Sequence, residues 1–372
     1  MIYFDNAATT LIKPKKVYEQ MNFLLKNCAN AGRSGHKPSM KSSEVIFDTR
    51  QSICKLLNFD KPENVIFTYN ATYALNLAIK SMIYEKCKVL TSSFEHNSTI
   101  RPLMAMENVE VVVVESPLYQ SEEFIEKFEK SITEDVKFAV INHVSNVFGY
   151  ILPVKQIDEI CYKNGIKLIL DASQSAGILD IDLQEFKSLV AICMPSHKSL
   201  YGVMGVGILV MVEQAQRSVI EGGTGSLSYS MYQPDFLPDM LESGTPNAPA
   251  IGSLKCGIEY VMQSENITNK LFNLARYIAL ELGKCSDTKV FFCDDINVQS
   301  GVISFYNEII DNEELSMRFA DVSICTRAGY HCSPLAHKSA KTDGTVRISF
   351  STFNNFYEVE KFIDIYRKIL KI

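Results

Sequence analysis

Apolar residues in the first two hundred positions fall into two rhythms. Short apolar runs occupy 64–68, 88–92, 110–114, 137–142, 167–171 and 189–194. Between most of them lie longer amphipathic stretches, such as 70–84, 122–132 and 154–164, whose apolar positions recur at helical spacing. Strand and helix in alternation predict an α/β fold, a mostly parallel sheet with helices on both faces. A seventh strand is predicted at 206–212, after only eleven Gly- and Ser-containing residues. A parallel crossover needs about a dozen residues or more, so this strand should run antiparallel.

The rhythm changes over 222–249, where Gly-Gly-Thr-Gly-Ser and Glu242-Ser-Gly-Thr-Pro-Asn mark long loops. Helices are then predicted at 250–263 and 266–283, with short strands at 289–293, 301–306 and 345–350. A final helix over 355–370 places Phe356, Val359, Ile363, Tyr366 and Leu370 on one face. The expected organisation is a large domain over 15–248 and a smaller α+β domain from 249–372, joined by an N-terminal arm over 1–14.

Composition narrows the class. Of 372 residues, 47% are apolar and 22% charged, which suits a folded core and not a disordered chain. The net charge of -6, with no concentrated Lys or Arg stripe, argues against a nucleic-acid partner. No apolar stretch reaches the roughly 18 residues of a membrane span, and the first residues do not resemble a signal peptide. None of the ten cysteines is paired as CxxC, so neither zinc nor any other metal is expected. A reducing, cytoplasmic setting follows, in which most of these thiols act as small buried hydrophobes.

Ligands of open α/β sheets gather beyond the carboxyl ends of the strands, which directs the search for chemistry. After 64–68 comes Tyr69-Asn-Ala-Thr72 and a helix start, where free amides suit a phosphate. The bland alternative is that Asn70 or Thr72 only caps the helix. After 88–92 comes His96, and after 137–142 come His143 and Asn146, none compelling singly. The 167–171 run ends in Asp171, which can pair with a protonated ring nitrogen or simply cap the next turn. Lys198 lies on the small-residue loop Pro195-Ser-His-Lys198-Ser at the same edge. A lysine there can form a Schiff base if its environment lowers its pKa. A phosphate site, a carboxylate and a lysine at one sheet edge are together the requirements of pyridoxal 5'-phosphate.

With those motifs in that order, the chain resembles class V, fold-type I pyridoxal-phosphate enzymes, specifically the cysteine desulfurase and selenocysteine lyase family. The resemblance runs from Tyr3-Phe-Asp-Asn-Ala-Ala-Thr-Thr10 to the last helix. The segment Arg327-Ala-Gly-Tyr-His-Cys332-Ser-Pro is most similar to the group II desulfurases. It implies an aspartate-aminotransferase-like large domain with a seven-stranded sheet. Lys198 would be the Schiff-base lysine, His96 would stack on the ring, and Asp171 would meet its nitrogen. Asn146 and Gln174 would lie near the ring hydroxyl. Ala71, Thr72, Ser196 and His197 would surround the phosphate, joined by Thr245 across a homodimer interface. Asn6, Ala7, Ala8, Arg33 and Arg347 would border the substrate, with Arg347 gripping its carboxylate. Cys332 would accept sulfur from L-cysteine as a persulfide, leaving L-alanine, and pass it to a protein acceptor.

The implied alternatives are selenocysteine lyase activity, or another class V reaction such as transamination or β-elimination. His331 and Arg327 are expected to favour the Cys332 thiolate by positive charge. Two positions depart from the family pattern. Pro195 replaces a hydroxyl residue three before the lysine, so Ser196 or its backbone would have to compensate or the phosphate grip is weaker, and Tyr73 replaces an acid at the helix start.

Overall fold

The computed structural model describes residues 1–32 and 34–370. Its elements are, in chain order, β1 (Ile2–Tyr3), α1 (Lys15–Asn27), α2 (Lys37–Leu56), β2 (Val65–Thr68), α3 (Ala71–Met82), β3 (Cys87–Ser92), α4 (Asn97–Met104) and β4 (Val109–Val114). Next come α5 (Ser121–Lys130), β5 (Val136–Asn142), α6 (Val154–Lys163), β6 (Lys167–Asp171), β7 (Leu189–Pro195), β8 (Gly207–Met211), α7 (Ala248–Gln263) and α8 (Ile267–Leu282). The chain ends with β9 (Thr288–Phe291), β10 (Val302–Asn307), α9 (Asn312–Asp321), β11 (Ile324–Cys325), β12 (Arg327–Gly329), α10 (Pro334–Ala340), β13 (Thr345–Ser349) and α11 (Phe356–Ile369).

The large sheet has seven strands in the order β2-β8-β7-β6-β5-β3-β4. Strand β8 runs antiparallel to both neighbours, β2 and β7, while the other pairings are parallel. The short Gly-containing connection before β8 thus does what its length requires. Strand periodicity divides the apolar side chains between two cores. Leu168, Leu170 and Ile192 join one face with residues of α2 and α7, and Ile169, Ala191 and Cys193 face α3 on the other.

A third core unites Phe4, Leu271, Ile303, Phe305, Phe319, Ile348, Phe362 and Tyr366, the centre of the smaller α+β part. Its sheet has the order β12-β13-β10-β9, all antiparallel. The N-terminal arm returns there, since β1 pairs in parallel with β11. Ala250, Ile251, Leu254 and Ile258 of α7 belong instead to the large core. The packing therefore divides between α7 and α8, later than the expected boundary at 248/249. A loop-rich stretch marks a change of rhythm, but the apolar face of the next helix decides which core it enters.

Two glycines let elements close on the sheet edge. A Cβ on Gly207 would lie 2.3 Å from the Asn70 backbone, so β8 could not pass beneath the start of α3 with any side chain there. A Cβ on Gly257 would lie 2.1 Å from the Leu200 carbonyl oxygen, which fixes α7 under the loop after Lys198.

Candidate active site

The carboxyl ends of β2, β3, β5, β6 and β7 deliver their following loops to one cavity of about 220 Å³. It brings together Ala7, Ala8, Ala71, Thr72, His96, Asn146, Asp171, Gln174, His197, Lys198, Cys332 and Arg347. Three expected residues are not on its wall. The Asn6 amide donates to the Ser349 carbonyl at 2.9 Å and anchors the arm instead. The Ser196 hydroxyl turns away and donates to the Val203 carbonyl at 2.6 Å, while its amide donates to the Val206 carbonyl. Both Ser196 donors are thus engaged within the protein, which leaves the weaker phosphate grip as the expected consequence of Pro195. Thr245 lines a second groove, beside Tyr69 and Tyr73. Arg33 lies outside the described residues.

The anion side of the cavity is built at the start of α3. Asn70 caps that helix, its side chain accepting from the Tyr73 amide at 3.0 Å. The helix leaves its first amides, at Ala71 and Thr72, without an intrahelical partner. Thr72 and Ser98 hydroxyls meet at 2.9 Å, and Ser98 also meets Nδ1 of His96 at 2.8 Å. His197 also lines this cavity, and its buried Nδ1 has no hydrogen-bond partner among the described residues. Two hydroxyls, two free amides and an unsatisfied imidazole nitrogen form a cradle suited to a phosphate.

His96 accepts from the Ser98 amide through Nδ1 at 3.0 Å, which puts its proton on Nε2. Burial, reinforced by the charge of Lys198, pushes its pKa down to about 4, so the ring is neutral. The Asp171 carboxylate accepts from the Ser173 amide at 2.9 Å. Burial nevertheless raises its pKa, so it is short of positive charge and would gain from a cation placed in the cavity. Lys198 is half-buried, and desolvation pushes its amine down to about 8 although Asp171 opposes the shift.

Behind the wall stands Glu95, a residue that sequence reasoning passed over. Its Oε1 accepts from the Asn142 amide at 2.8 Å and the Ser92 hydroxyl at 2.7 Å, and its Oε2 is unpartnered. Burial raises its pKa to about 8, with the charge of Asp171 adding to the rise. Ser98 was missed as well, and its one sequence signal is a hydroxyl in the first turn of a helix after His96.

Arg347 sits on β13 directly across from Arg327 on β12. It donates to the Asn146 carbonyl at 2.9 Å and to Asp5 at 2.8 Å, while its Nε has no partner. Gln174 donates to the Ala7 carbonyl at 3.0 Å, holding the arm along the cavity.

Cys332 is the one exposed cysteine of the ten. Its loop is tightly held, not free. The Asn146 side chain donates to the His331 carbonyl at 2.8 Å and accepts from the Ser333 hydroxyl at 2.7 Å. The Asn97 amide donates to the Cys332 carbonyl at 2.8 Å. His331 and Cys332 both take left-handed backbone conformations, with φ of 50° and 59°. The expected charge on His331 is absent. Burial pushes its pKa down to about 2, and its Nε2 faces the Thr345 carbonyl at 3.1 Å. Of the two residues expected to supply positive charge, Arg327 remains on the cavity wall.

The comparisons with known proteins agree with this geometry. A probable cysteine desulfurase from Borreliella burgdorferi is 29% identical over 100% of this chain and 92% of its own length. One from Pyrococcus abyssi is 27% identical over 100% of this chain and 94% of its own. The apo structure of cysteine desulfurase from Thermococcus onnurineus superposes with a TM-score of 0.92 at 27% identity, covering 100% of this chain and 94% of that one. An Escherichia coli cysteine desulfurase at 21% identity shares the fold, with a TM-score of 0.87 over 99% of this chain and 94% of its own. The aminotransferase class-V model matches residues 2–362, and the chain belongs to that family.

Proposed function

We infer that the protein is a cysteine desulfurase that uses pyridoxal 5'-phosphate and stores sulfur on Cys332. The observation that carries this reading is the meeting of a half-buried Lys198, a buried Asp171 and the exposed Cys332 thiol in one cavity. The residues present fit the cofactor. The amides of Ala71 and Thr72, the Thr72 and Ser98 hydroxyls and the unpartnered His197 would hold its phosphate. Asp171, deprived of positive charge by burial, would take its protonated ring nitrogen, and neutral His96 would cover its face. When bound, the cofactor supplies the electron sink that lets bonds at the substrate Cα and Cβ be broken.

This chain's own residues do the rest. The unpartnered Nε of Arg347 is available to a substrate carboxylate, and the bond to Asp5 fixes the guanidinium plane. Lys198, with its pKa near 8, can hold and return a proton at neutral pH. The Cys332 thiolate attacks the substrate sulfur, and the carbon-sulfur bond breaks. The net change converts L-cysteine and the Cys332 thiol into L-alanine and a Cys332 persulfide. Selenocysteine differs by one chalcogen atom and fits the same scheme.

A homodimer accompanies this reading. Thr245 lies with exposed Tyr69 and Tyr73 in a groove separate from the cavity that holds Lys198. A second protomer seated there would bring a Thr245 to the phosphate of its partner. An exposed, working thiol also calls for a reducing compartment such as the cytoplasm. The final sulfur acceptor is read as a protein.

Product analysis tests the function. Pure enzyme loaded with cofactor and given L-cysteine should yield alanine and protein-bound sulfane sulfur in equal amounts, and Cys332→Ala should yield neither. Pyruvate with sulfide and no alanine would mean β-elimination.

A further inference from the structure

Cys332 opens onto two spaces. One is the cavity it shares with Lys198, and the other is an outer groove of about 370 Å³ between α3 and α4. One wall of the groove carries Thr72, Asn76 and Lys80, spaced by four along a single face of α3. The other carries Asn97 and Arg101, again four apart, on α4. Cys332 stands at its head, tied there by the Asn97 amide.

The charge in this groove runs against the charge of the molecule. The chain carries a net charge of -6, yet among the described residues no carboxylate lines the groove, and Lys80 and Arg101 do. Among the described residues neither cation is engaged in an ion pair, whereas many surface lysines and arginines are. Unpaired cations along a groove that ends on a thiol would steer and hold a negatively charged group. From Thr72 to Lys80 the helical wall rises about 12 Å, the span of roughly four extended residues. That is longer than a single small thiol needs.

Resting on the desulfurase reading above, we propose that this groove is the sulfur-exit site and that it takes an acidic polypeptide segment bearing a cysteine. The acceptor thiolate attacks the outer sulfur of the Cys332 persulfide. The sulfur-sulfur bond breaks, the Cys332 thiolate is regenerated, and the acceptor becomes the persulfide. No external oxidant or reductant is needed, because one sulfur-sulfur bond replaces another. Carboxylates beside the acceptor cysteine meet Lys80 and Arg101, while substrate enters and leaves through the inner cavity.

The test uses cofactor-loaded enzyme charged with L-cysteine, and two hexapeptides with a central cysteine flanked by Asp and Glu or by Lys. The acidic peptide should receive sulfur at least about tenfold faster at low salt, and added salt should erase the difference. The K80E/R101E variant should reverse the preference, and K80Q/R101Q should abolish it. In both variants, single-turnover alanine formation should match wild type. Equal rates for the two peptides with wild type would overturn the proposal. So would variants that slow alanine formation as much as transfer. Mercaptosuccinate outcompeting cysteamine as strongly as one peptide outcompetes the other would overturn the polypeptide assignment. Wild-type enzyme that forms no persulfide would instead remove the desulfurase reading itself.

Discussion

Arg347 and Asp5, 342 positions apart, form an ion pair at 2.8 Å that joins the two ends of the chain across the candidate substrate site. Together with the Asn146 carbonyl the pair fixes the guanidinium plane and leaves Nε without a hydrogen-bond partner among the described residues. Arg347→Lys keeps the charge but loses the planar fork. Loss of a charge-assisted hydrogen bond of about 1.5–3 kcal/mol should lower kcat/KM for L-cysteine roughly 10- to 100-fold. A carboxylate held alike before and during reaction puts that loss mainly on KM. Steady-state kinetics check it, and a fall confined to kcat would contradict the clamp.

Lys198 and Asp171 set a pH dependence for cofactor attachment. A lysine with its pKa at about 8 has roughly one-tenth of its amine free at pH 7, about 300 times the fraction at its ordinary value of 10.5. The rate at which the cofactor-free protein takes up pyridoxal phosphate covalently should therefore rise with pH and level off above about 8. Asp171 raises the lysine pKa. Asp171→Asn should move the inflection to lower pH. Stopped-flow absorbance between pH 6.5 and 10 measures both, and a rate still climbing at pH 10 would contradict the burial argument.

The parts of this architecture legible in the sequence are those written in local pattern. Strands reveal themselves by apolar runs, and the loops after them deliver His96, Asp171 and Lys198 to one edge by topology alone. The antiparallel β8 followed from a connection too short to cross the sheet. What stayed hidden depends on partners distant in sequence or on burial. Asp5 has no local signal, because its partner is 342 residues away. Strands β11 and β12 are too short to show a period. Adjacent to a reactive thiol, His331 reads as a source of charge, and only its burial shows it to be neutral. Ser196 and Pro195 show the same limit, since which way a hydroxyl turns in a tight loop is decided by its backbone neighbours.

Glu95 should impose a pH slope on stability. Its folded pKa of about 8 lies above the ordinary 4.5, so the folded state binds a proton that the unfolded state releases. The associated stability is present below about 4.5 and is lost as pH rises through about 8. Glu95→Gln cannot lose a proton and should become more stable relative to wild type between pH 5 and 8. Glu95→Ala leaves the Asn142 amide and Ser92 hydroxyl without their acceptor and should cost about 1–3 kcal/mol or more across that range. Urea unfolding at several pH values measures these differences. Parallel pH curves for wild type and Glu95→Gln would show that Glu95 is ionised when folded.

Ser333 should tune the thiol through its loop. Its hydroxyl donates to Asn146 at 2.7 Å, and Asn146 in turn donates to the His331 carbonyl beside Cys332. Ser333→Ala leaves the buried Asn146 oxygen unsatisfied, at a cost of about 1–3 kcal/mol, and loosens two consecutive left-handed residues. Persulfide formation should slow roughly tenfold while the KM for L-cysteine holds. The Cys332 thiol should also react faster with iodoacetamide, because the Asn146 anchor on the neighbouring His331 carbonyl loses the hydroxyl that orients it. Mass spectrometry of alkylation against time reads this directly. Unchanged alkylation with a loss of bound cofactor would assign the Asn146 side chain to the ring instead of to the loop.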